Sequence, residues 1–527
     1  MKKAIIALIC LILAVLPLSG CRHSLNSSGS QSGVRYDVFE TAENLDPQFA
    51  TGITERLVIG NIFEGLLSRD ENGELTEGAA ERYEISPDGL ILTFRIRSDA
   101  KWSNGKPVTP DDFVFAFRRM FDPGMPSPFA MEYSAIENAV KILNGEAQPS
   151  SLGVIGKSGG ELEIRLSRAS PYFPESLAET PAMPCNEEFF IESRGRYGLE
   201  KRLVNSNGPY SLDRWDNESA VTLRPNQNYN GEAKAALNVS LTFGNMNEKL
   251  LRFTDGLTDI IELTDEEASP FIEKGYTAKA FDGRVWCVVF NTDSAVWGNP
   301  LLRQALALTA DRESLSEILS PEYTITEFAV PAAATIAYKP YREHVRASPV
   351  PFDPEQGKRL FEMGVHALGM DGAVSDVIHV PEKPENTLAM NIFQQSWQRS
   401  LSTYISVESE PFDAVYLRLL EKDYSMAFFP LASPMPKAVS FLSAFSGKNG
   451  FPSYESPLFE AAVNEISGAM SMDEAAAHAA RAESLLLQDA VVIPVFLEKT
   501  YVVISPDING LSASGFPSQL RFWHAKI

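Results

Sequence analysis

Residues 61–123 read NIFEGLLSRDENGELTEGAAERYEISPDGLILTFRIRSDAKWSNGKPVTPDDFVFAFRRMFDP, and the local signals along this stretch agree with one another. Ser86-Pro87-Asp88-Gly89 puts proline at the second and glycine at the fourth position of a type I turn. Leu90, Leu92, Phe94 and Ile96 then alternate with Ile91, Thr93, Arg95 and Arg97, which predicts a hairpin strand with one apolar face. Asn104-Gly105 marks a second turn. Thr109 follows as a helix cap, with Pro110 at the first helical position and Asp111 and Asp112 at the positive end of the helix dipole. Phe113, Ala116, Phe117, Met120 and Phe121 recur at helical spacing until Pro123-Gly124 stops the helix. A hairpin followed by a helix predicts a mixed α/β domain.

The whole chain has 527 residues, too many for one ordinary core, so two or three domains are expected. Lys2 and Lys3 precede an apolar run from Ala4 to Leu16, and Pro17-Leu18-Ser19-Gly20-Cys21 closes it with small residues before a cysteine. The run is too short to span a bilayer and reads as a secretory signal over residues 1–20. Residues 22–33, rich in Ser, Gly and Asn, read as a flexible tether. With 46 basic against 69 acidic residues the surface is acidic, which argues against nucleic acid as a partner. Cys10 leaves with the signal. Cys185 and Cys287 either pair in an oxidising compartment or stay as buried free thiols, and their spacing leaves both open.

FEGLL, the acidic ENGEL turn, SPDGL, TFRIR, AKWSNGKPVTPDDFV and the closing DP resemble the peptide/nickel solute-binding proteins of ABC importers, the oligopeptide-type family 5 of bacterial extracellular solute-binding proteins. The resemblance continues in order through the mature chain. It runs through Asn44-Leu45-Asp46-Pro47, a helix expected over Ala135 to Gly145, a hairpin from Leu152 to Leu166, and NSNGPY at 205–210. Further on come LRFTDGLTDII at 251–261, the apolar strand Arg284 to Thr292, and a helix from Pro300. The DP-started element Phe352 to Leu368, the helix Phe393 to Leu401, the strand Ile405 to Glu408, the helix Asp473 to Gln488 and AVVIPVF at 490–496 complete it. Leu-Ser-Gly-Cys at 18–21 resembles a bacterial lipobox, which implies cleavage before Cys21 and lipid attachment there.

The family implies an α/β, three-lobed periplasmic-binding-protein-like fold with mixed sheets and a ligand cleft between two lobes. It divides the chain into a lipidated tether at 21–33, a discontinuous base lobe at 34–73, 195–291 and 491–527, a small inserted lobe at 74–194, and a distal lobe at 292–490. In peptide-binding relatives the ligand lies extended and pairs its backbone with strand edges, as in strand addition. On that pattern Thr51, Gly52 and Ile53 pair with the ligand and Phe129 supplies a pocket aromatic. The distal segment Tyr424 to Leu442, YSMAFFPLASPMPKAVSFL, departs from the family. Phe428 stands at its arginine position, Pro430 at its glycine, Leu431 at its tryptophan and Pro434 at the aspartate that holds a peptide amino terminus. Ala432 lies on the same wall, Phe412 keeps an aromatic in kind, and Leu419, beside Arg418, takes a basic ligand-side position. An apolar pocket without that carboxylate leaves a peptide ammonium desolvated at a cost of about 1–3 kcal/mol. Ordinary core packing is the alternative for Phe428 and Phe429.

No catalytic constellation is expected. The six histidines, His23, His344, His366, His379, His478 and His524, lie in no HxH or HExxH spacing, so neither metal nor cofactor is implied. Gly156-Lys157-Ser158 looks like the end of a phosphate loop, but Ser151 stands where that motif needs its first glycine. The expectation is therefore a monomeric, non-enzymatic protein of the cell envelope. It is exported and held by its lipid in the periplasm or at the outer face of the cytoplasmic membrane, and it captures a small solute, best read as a peptide, for an ABC permease and its ATPase. A non-peptide or end-blocked apolar solute, and a surface lipoprotein that binds another protein without transport, are the alternatives. Cys21→Ser is expected to release the protein into the detergent-free fraction on cell fractionation; unchanged membrane retention would refute lipidation.

Overall fold

The computed structural model describes residues 33–38, 40–70, 74–170, 172–233, 235–243, 246–319, 323–336, 339–345, 350–370, 374–432, 437–447, 452, 454–512 and 517–527. The proposed signal, Cys21 and Pro434 lie outside the described residues.

The opening stretch folds as its sequence predicts. Strands Ala80–Ile85 and Ile91–Ile96 pair antiparallel, and the Gly89 amide donates to the Ser86 carbonyl at 2.8 Å across the turn, with Gly89 at φ +71° where a side chain would be strained. Leu92, Phe94 and Ile96 are buried, and Phe94 stacks on Tyr83. Helix Pro110–Met120 follows, and the Thr109 amide donates to Asp112 Oδ2 at 2.7 Å in a capping box. Strands Glu161–Arg165 and Val154–Lys157 complete a four-stranded antiparallel sheet. The Gly156–Gly160 segment is the exposed turn of that last hairpin. It also spells G-x-S-x-G, but Ser158 sits between antiparallel strands rather than on a strand-to-helix elbow, so neither a phosphate loop nor a nucleophile is formed there.

The second sheet has eleven strands and is continuous through the molecule. Its spine is the antiparallel pair Thr277–Phe290 and Val492–Ile504, in register from Thr277 opposite Ile504 to Val289 opposite Val492, with irregularities between Phe281 and Arg284 and between Trp286 and Cys287. At one end of the spine, Ile260–Thr264 pairs with Thr500–Ile504 and leads on through Gly33–Val38, Asn238–Phe243, Ala220–Pro225 and Tyr210–Asp216. At the other end, Met426–Ala432 pairs with Arg284–Phe290 and leads to Ser375–Pro381 and Tyr404–Glu410.

Beyond the irregularities both faces of the sheet are covered. Val288, Phe290 and Phe428 pack under helices Pro300–Leu308, Pro354–Ala367 and Pro384–Leu401, whereas Val285, Cys287, Val289, Ala427 and Phe429 pack under Ala438–Ser443, Pro457–Ile466 and Met472–Gln488. Burial on both sides explains why RVWCVVF and MAFF are continuous apolar runs rather than alternating ones. The chain end returns to the base. The Asn61 side chain donates to the Leu520 carbonyl at 2.9 Å and accepts from the Phe522 amide at 3.0 Å, so residues far apart in sequence share one core.

Three expectations change. The helix over Ala135 to Gly145 shrinks to Ala139–Leu143, because Asn138 adopts φ +65° and Ile136 bridges Leu166 instead. The helix expected from Phe393 starts at Pro384, and the strand expected from Arg284 starts at Thr277, its first half belonging to the base side of the sheet. Cys185 and Cys287 are both free and buried, so of the two readings of these thiols the unpaired one stands. Burial pushes the Cys185 thiol up to about 12, despite Arg119 Nη1 at 3.3 Å, and raises Cys287 further. A disulfide reagent at pH 8 is therefore expected to find no reactive thiol in the folded protein and both of them, Cys185 and Cys287, after unfolding in guanidinium; reaction of the native state would contradict this packing.

Candidate functional site

One wall begins at the N-terminus of helix Ile53–Ile62. Thr51 is exposed at its entry. The Gly52 amide donates to Glu55 Oε2 at 3.0 Å, and the Ile53 amide to Glu40 Oε2 at 3.0 Å. Both donors expected to meet an extended ligand are thus already held by the protein's own carboxylates, as the unsatisfied first turn of a helix requires. One turn further, Arg56 is buried, with Phe129 beneath its guanidinium at 5.5 Å from the ring centre.

Phe129 leads into the short helix Ala130–Tyr133, whose Glu132 reaches the distal side. Glu132 Oε1 accepts from the Ser440 hydroxyl at 2.9 Å, and Lys437 Nζ lies 3.6 Å from Oε2. Two more contacts cross here: Arg168 Nη2 donates to the Asn464 carbonyl at 3.1 Å, its guanidinium lying where a Cβ on Gly468 would collide, and Ser170 donates to the Ser467 carbonyl at 3.5 Å. Between them lies a cavity of about 80 Å³ lined by Tyr172, Phe173, Ser176, Thr335, Ile336 and Lys437. The lobes meet around this gap.

The distal wall is the strand Met426–Ala432. On its outer side only Met426 and Ala427 have strand partners, Ile378 and His379, so from Phe428 to Ala432 that edge is unpaired among the described residues. Phe428 is fully buried, 5.2 Å from the Trp286 ring and 5.6 Å from Phe496. Pro430 is half-buried opposite Trp286, Leu431 is buried on the other face, and Ala432 is exposed opposite Arg284. Phe412 is 48% exposed at the start of helix Phe412–Glu421 and lies tilted against Phe429 with ring centres 5.0 Å apart. Leu419 is buried on that helix and Arg418 pairs with Glu410. The structure therefore brings Phe129 to the base of the inter-lobe contact and Thr51 to Ile53 one turn from Arg56, while Phe428 lies inside the distal core.

Residues 74–453 match the family described as bacterial extracellular solute-binding proteins, family 5 Middle. The chain belongs to that family. Among curated relatives it is 25% identical over 488 residues to the oligopeptide-binding protein OppA of Bacillus subtilis, covering 90% of this chain and 88% of that protein. It is 24% identical over 502 residues to the probable deoxycholate-binding periplasmic protein YgiS of Escherichia coli, covering 91% and 90%. Among solved structures, Listeria monocytogenes OppA bound to peptide superposes with a TM-score of 0.79 at 21% identity, covering 95% of this chain and 99% of that one. The fold is that of the periplasmic binding proteins, and members of this family bind solutes without chemistry.

Charged groups that sequence reading overlooked are prominent in this family 5 protein. Burial raises the Glu132 carboxyl, and burial likewise lowers Arg56. Glu179 is buried too, which alone would raise it, but Lys437, Arg69, Arg56 and Arg521 together hold it below the usual carboxylate range. A charged residue between Ile53, Leu57 and Val58 was the one available signal for Arg56. Strand pairing also sets His379 beside Glu408 and Glu410, with possible ligand atoms within 4.8 Å. Arg418 donates to Glu410 at 3.0 Å and already supplies the positive charge a metal would bring. For the distal wall, Phe428→Ala is expected to lower stability by about 3–5 kcal/mol in denaturant unfolding, as loss of a fully buried ring does. A change below about 1 kcal/mol would put Phe428 outside the core.

Proposed function

We propose that this family 5 protein captures an oligopeptide between its lobes and hands it to an ABC permease as the lobes reopen, with no bond made or broken. The observation that carries this reading is the unpaired edge from Phe428 to Ala432, which ends five residues before Lys437, the residue in contact with Glu132 across the lobes. A strand edge left unpaired among the described residues, beside a closing contact, suits an extended guest, because main-chain pairing binds any sequence and closure excludes water. The names of the relatives support the peptide class. We assign the lobes as 34–73 with 195–291 and 491–527, 74–194, and 292–490. The protein acts as a monomer, anchored through lipid on Cys21, with the permease and its ATPase as partners.

A second reading has its own support. Pro430 has no amide hydrogen to offer, and the Gly52 and Ile53 amides are occupied, so fewer main-chain donors remain than peptide pairing would use. An end-blocked or apolar solute needs fewer of them.

Ligand binding shifts an open–closed equilibrium only by its differential affinity for the closed form. Native mass spectrometry of the purified mature protein is expected to show co-purified peptide, and thermal stability should climb with peptide concentration as mass action requires. Solution scattering should show a smaller radius of gyration with the guest than without it. An unchanged envelope, a guest returned altered, or stabilisation by apolar non-peptides alone would overturn the peptide reading.

A further inference from the structure

The outer end of the base sheet carries a cavity that the contact between the lobes does not use. It measures about 490 Å³, against about 80 Å³ between the lobes, and lies where the Ser103 turn meets strands Tyr210–Asp216 and Ala220–Pro225. Its walls are held by the protein's own bonds. The Ser103 amide donates to the Ser206 carbonyl at 2.6 Å, the Asn228 side chain donates to the Ser103 carbonyl at 2.9 Å, and the Asn226 side chain donates to the Gly208 carbonyl at 2.9 Å. Ser211 and Arg224 oppose each other on the two outermost strands. Leu212 and Leu223 beside them are buried, so alternation turns Ser211 and Arg224 away from the core. With Val239 opposite Leu223, Asn238 reaches the same level on the third strand.

The lining has one chemical character. Lys201 and Arg224 are its cations, serine hydroxyls and side-chain amides make up most of the rest, and its described residues include neither a carboxylate nor an aromatic ring. Asp213 stands just outside it, 3.9 Å from Arg224, and its backbone carbonyl accepts from Lys201 Nζ. Among the described residues the Ser211 hydroxyl and the side-chain amides of Gln227 and Asn238 have no hydrogen-bond partner. A fork on Arg224 and a point charge on Lys201 suit a phosphate. Hydroxyls and amides both donate and accept, which matches the alcohol groups of a polyol. With no ring in the lining, a nucleobase finds no platform to stack on.

The cavity also lies beside the chain's route to the membrane. Asn238 pairs with Gly33, where the segment from Cys21 joins the sheet. The covalent reach of residues 22–33 is about 40 Å, so a lipid on Cys21 keeps the cavity among headgroups at an effective concentration of roughly millimolar. The net charge of −23 opposes an anionic surface, but salt confines that repulsion to a Debye length of about 8 Å.

We propose that this cavity binds the phosphate ester of a polyol, the group that a glycerophospholipid headgroup and free glycerol phosphate have in common. Its nearness to headgroups rests on the proposed lipid anchor; the chemistry of its lining does not. Occupied by a headgroup, it adds a second contact with the bilayer to the tether, too weak alone to hold Cys21→Ser protein on cells.

The test has two arms. In the first, the full mature chain carrying Cys21→Ser is floated at high lipid concentration with vesicles of phosphatidylcholine, or with a third of that lipid replaced by phosphatidylglycerol. The mixed vesicles are expected to carry at least fivefold more protein. Lys201→Gln with Arg224→Gln should return flotation to the phosphatidylcholine level, and so should Asn238→Asp, which puts a carboxylate into the lining. Arg202→Gln removes the same charge from an exposed neighbour outside the cavity and should leave flotation within about twofold. The second arm needs no variant of the cavity: by calorimetry, glycerol 3-phosphate is expected to bind the mature protein at least tenfold tighter than inorganic phosphate or glycerol. Recruitment that glycerol 3-phosphate competes away assigns the site to the headgroup, and binding of the ester without recruitment assigns it to the free compound. Recruitment that the ester does not displace, equal loss in Arg202→Gln, an ester bound no tighter than phosphate or glycerol, or no binding in either arm overturns the proposal. Retention of Cys21→Ser on cell membranes refutes the lipid anchor alone, because the calorimetric arm does not depend on it.

Discussion

The pairing of Thr277–Phe290 with Val492–Ile504 is the constraint on which the rest of the molecule depends. Each strand is long enough to serve two sets of neighbours, and the irregularities between Phe281 and Arg284 and between Trp286 and Cys287 let the sheet change direction without losing its ladder. An extra residue in one strand bends it locally and increases its twist. On one side of them lies the base, closed by residues from both ends of the chain; on the other lies a sheet covered by helices on both faces. The base and the distal sheet therefore share one hydrogen-bonded ladder.

The cleft shows how local and tertiary demands compete for the same groups. The first amides of helix Ile53–Ile62 need acceptors, and Glu40 and Glu55 supply them. The outer edge of Met426–Ala432 needs donors and acceptors too, and past Ala427 no described strand supplies them. The first wall is satisfied, whereas the second keeps an unpaired ladder among the described residues. The apolar character of Phe428 serves the interior rather than the guest: Trp286 and Phe496 enclose its ring, and the Trp286 indole in turn donates to Glu498 at 3.0 Å.

Charge is distributed in an unusual way for so acidic a chain. The formal net charge is −23, yet the junction of the lobes gathers Arg56, Arg69, Arg521 and Lys437. Surface acidity acts over the range of a Debye length, whereas charges packed together at the junction act at short range and are less screened by salt. The two scales are independent, and the overall balance gave no hint of the local one.

Much of the fold was legible in the residues themselves. The SPDG turn, the Thr109-Pro110 helix start, the GKSGG hairpin and the apolar runs of the distal sheet follow from turn chemistry, capping and periodicity, which act within a few positions of the chain. Where neighbours distant in sequence intervene, those rules lose their hold: Ile136 bridges Leu166 and cuts a helix short, and Thr277 joins its strand because Ile504 is there to pair with it. The sequence by itself determined the element types, the order of motifs and the family they spell. Only the tertiary structure decided that Phe428 is interior, that the thiols are unpaired, and that Arg56 lies buried around Glu179 with Arg69, Arg521 and Lys437, cations from three other segments. Burial and charge pairing depend on which distant surfaces are pressed together, and no local pattern records that.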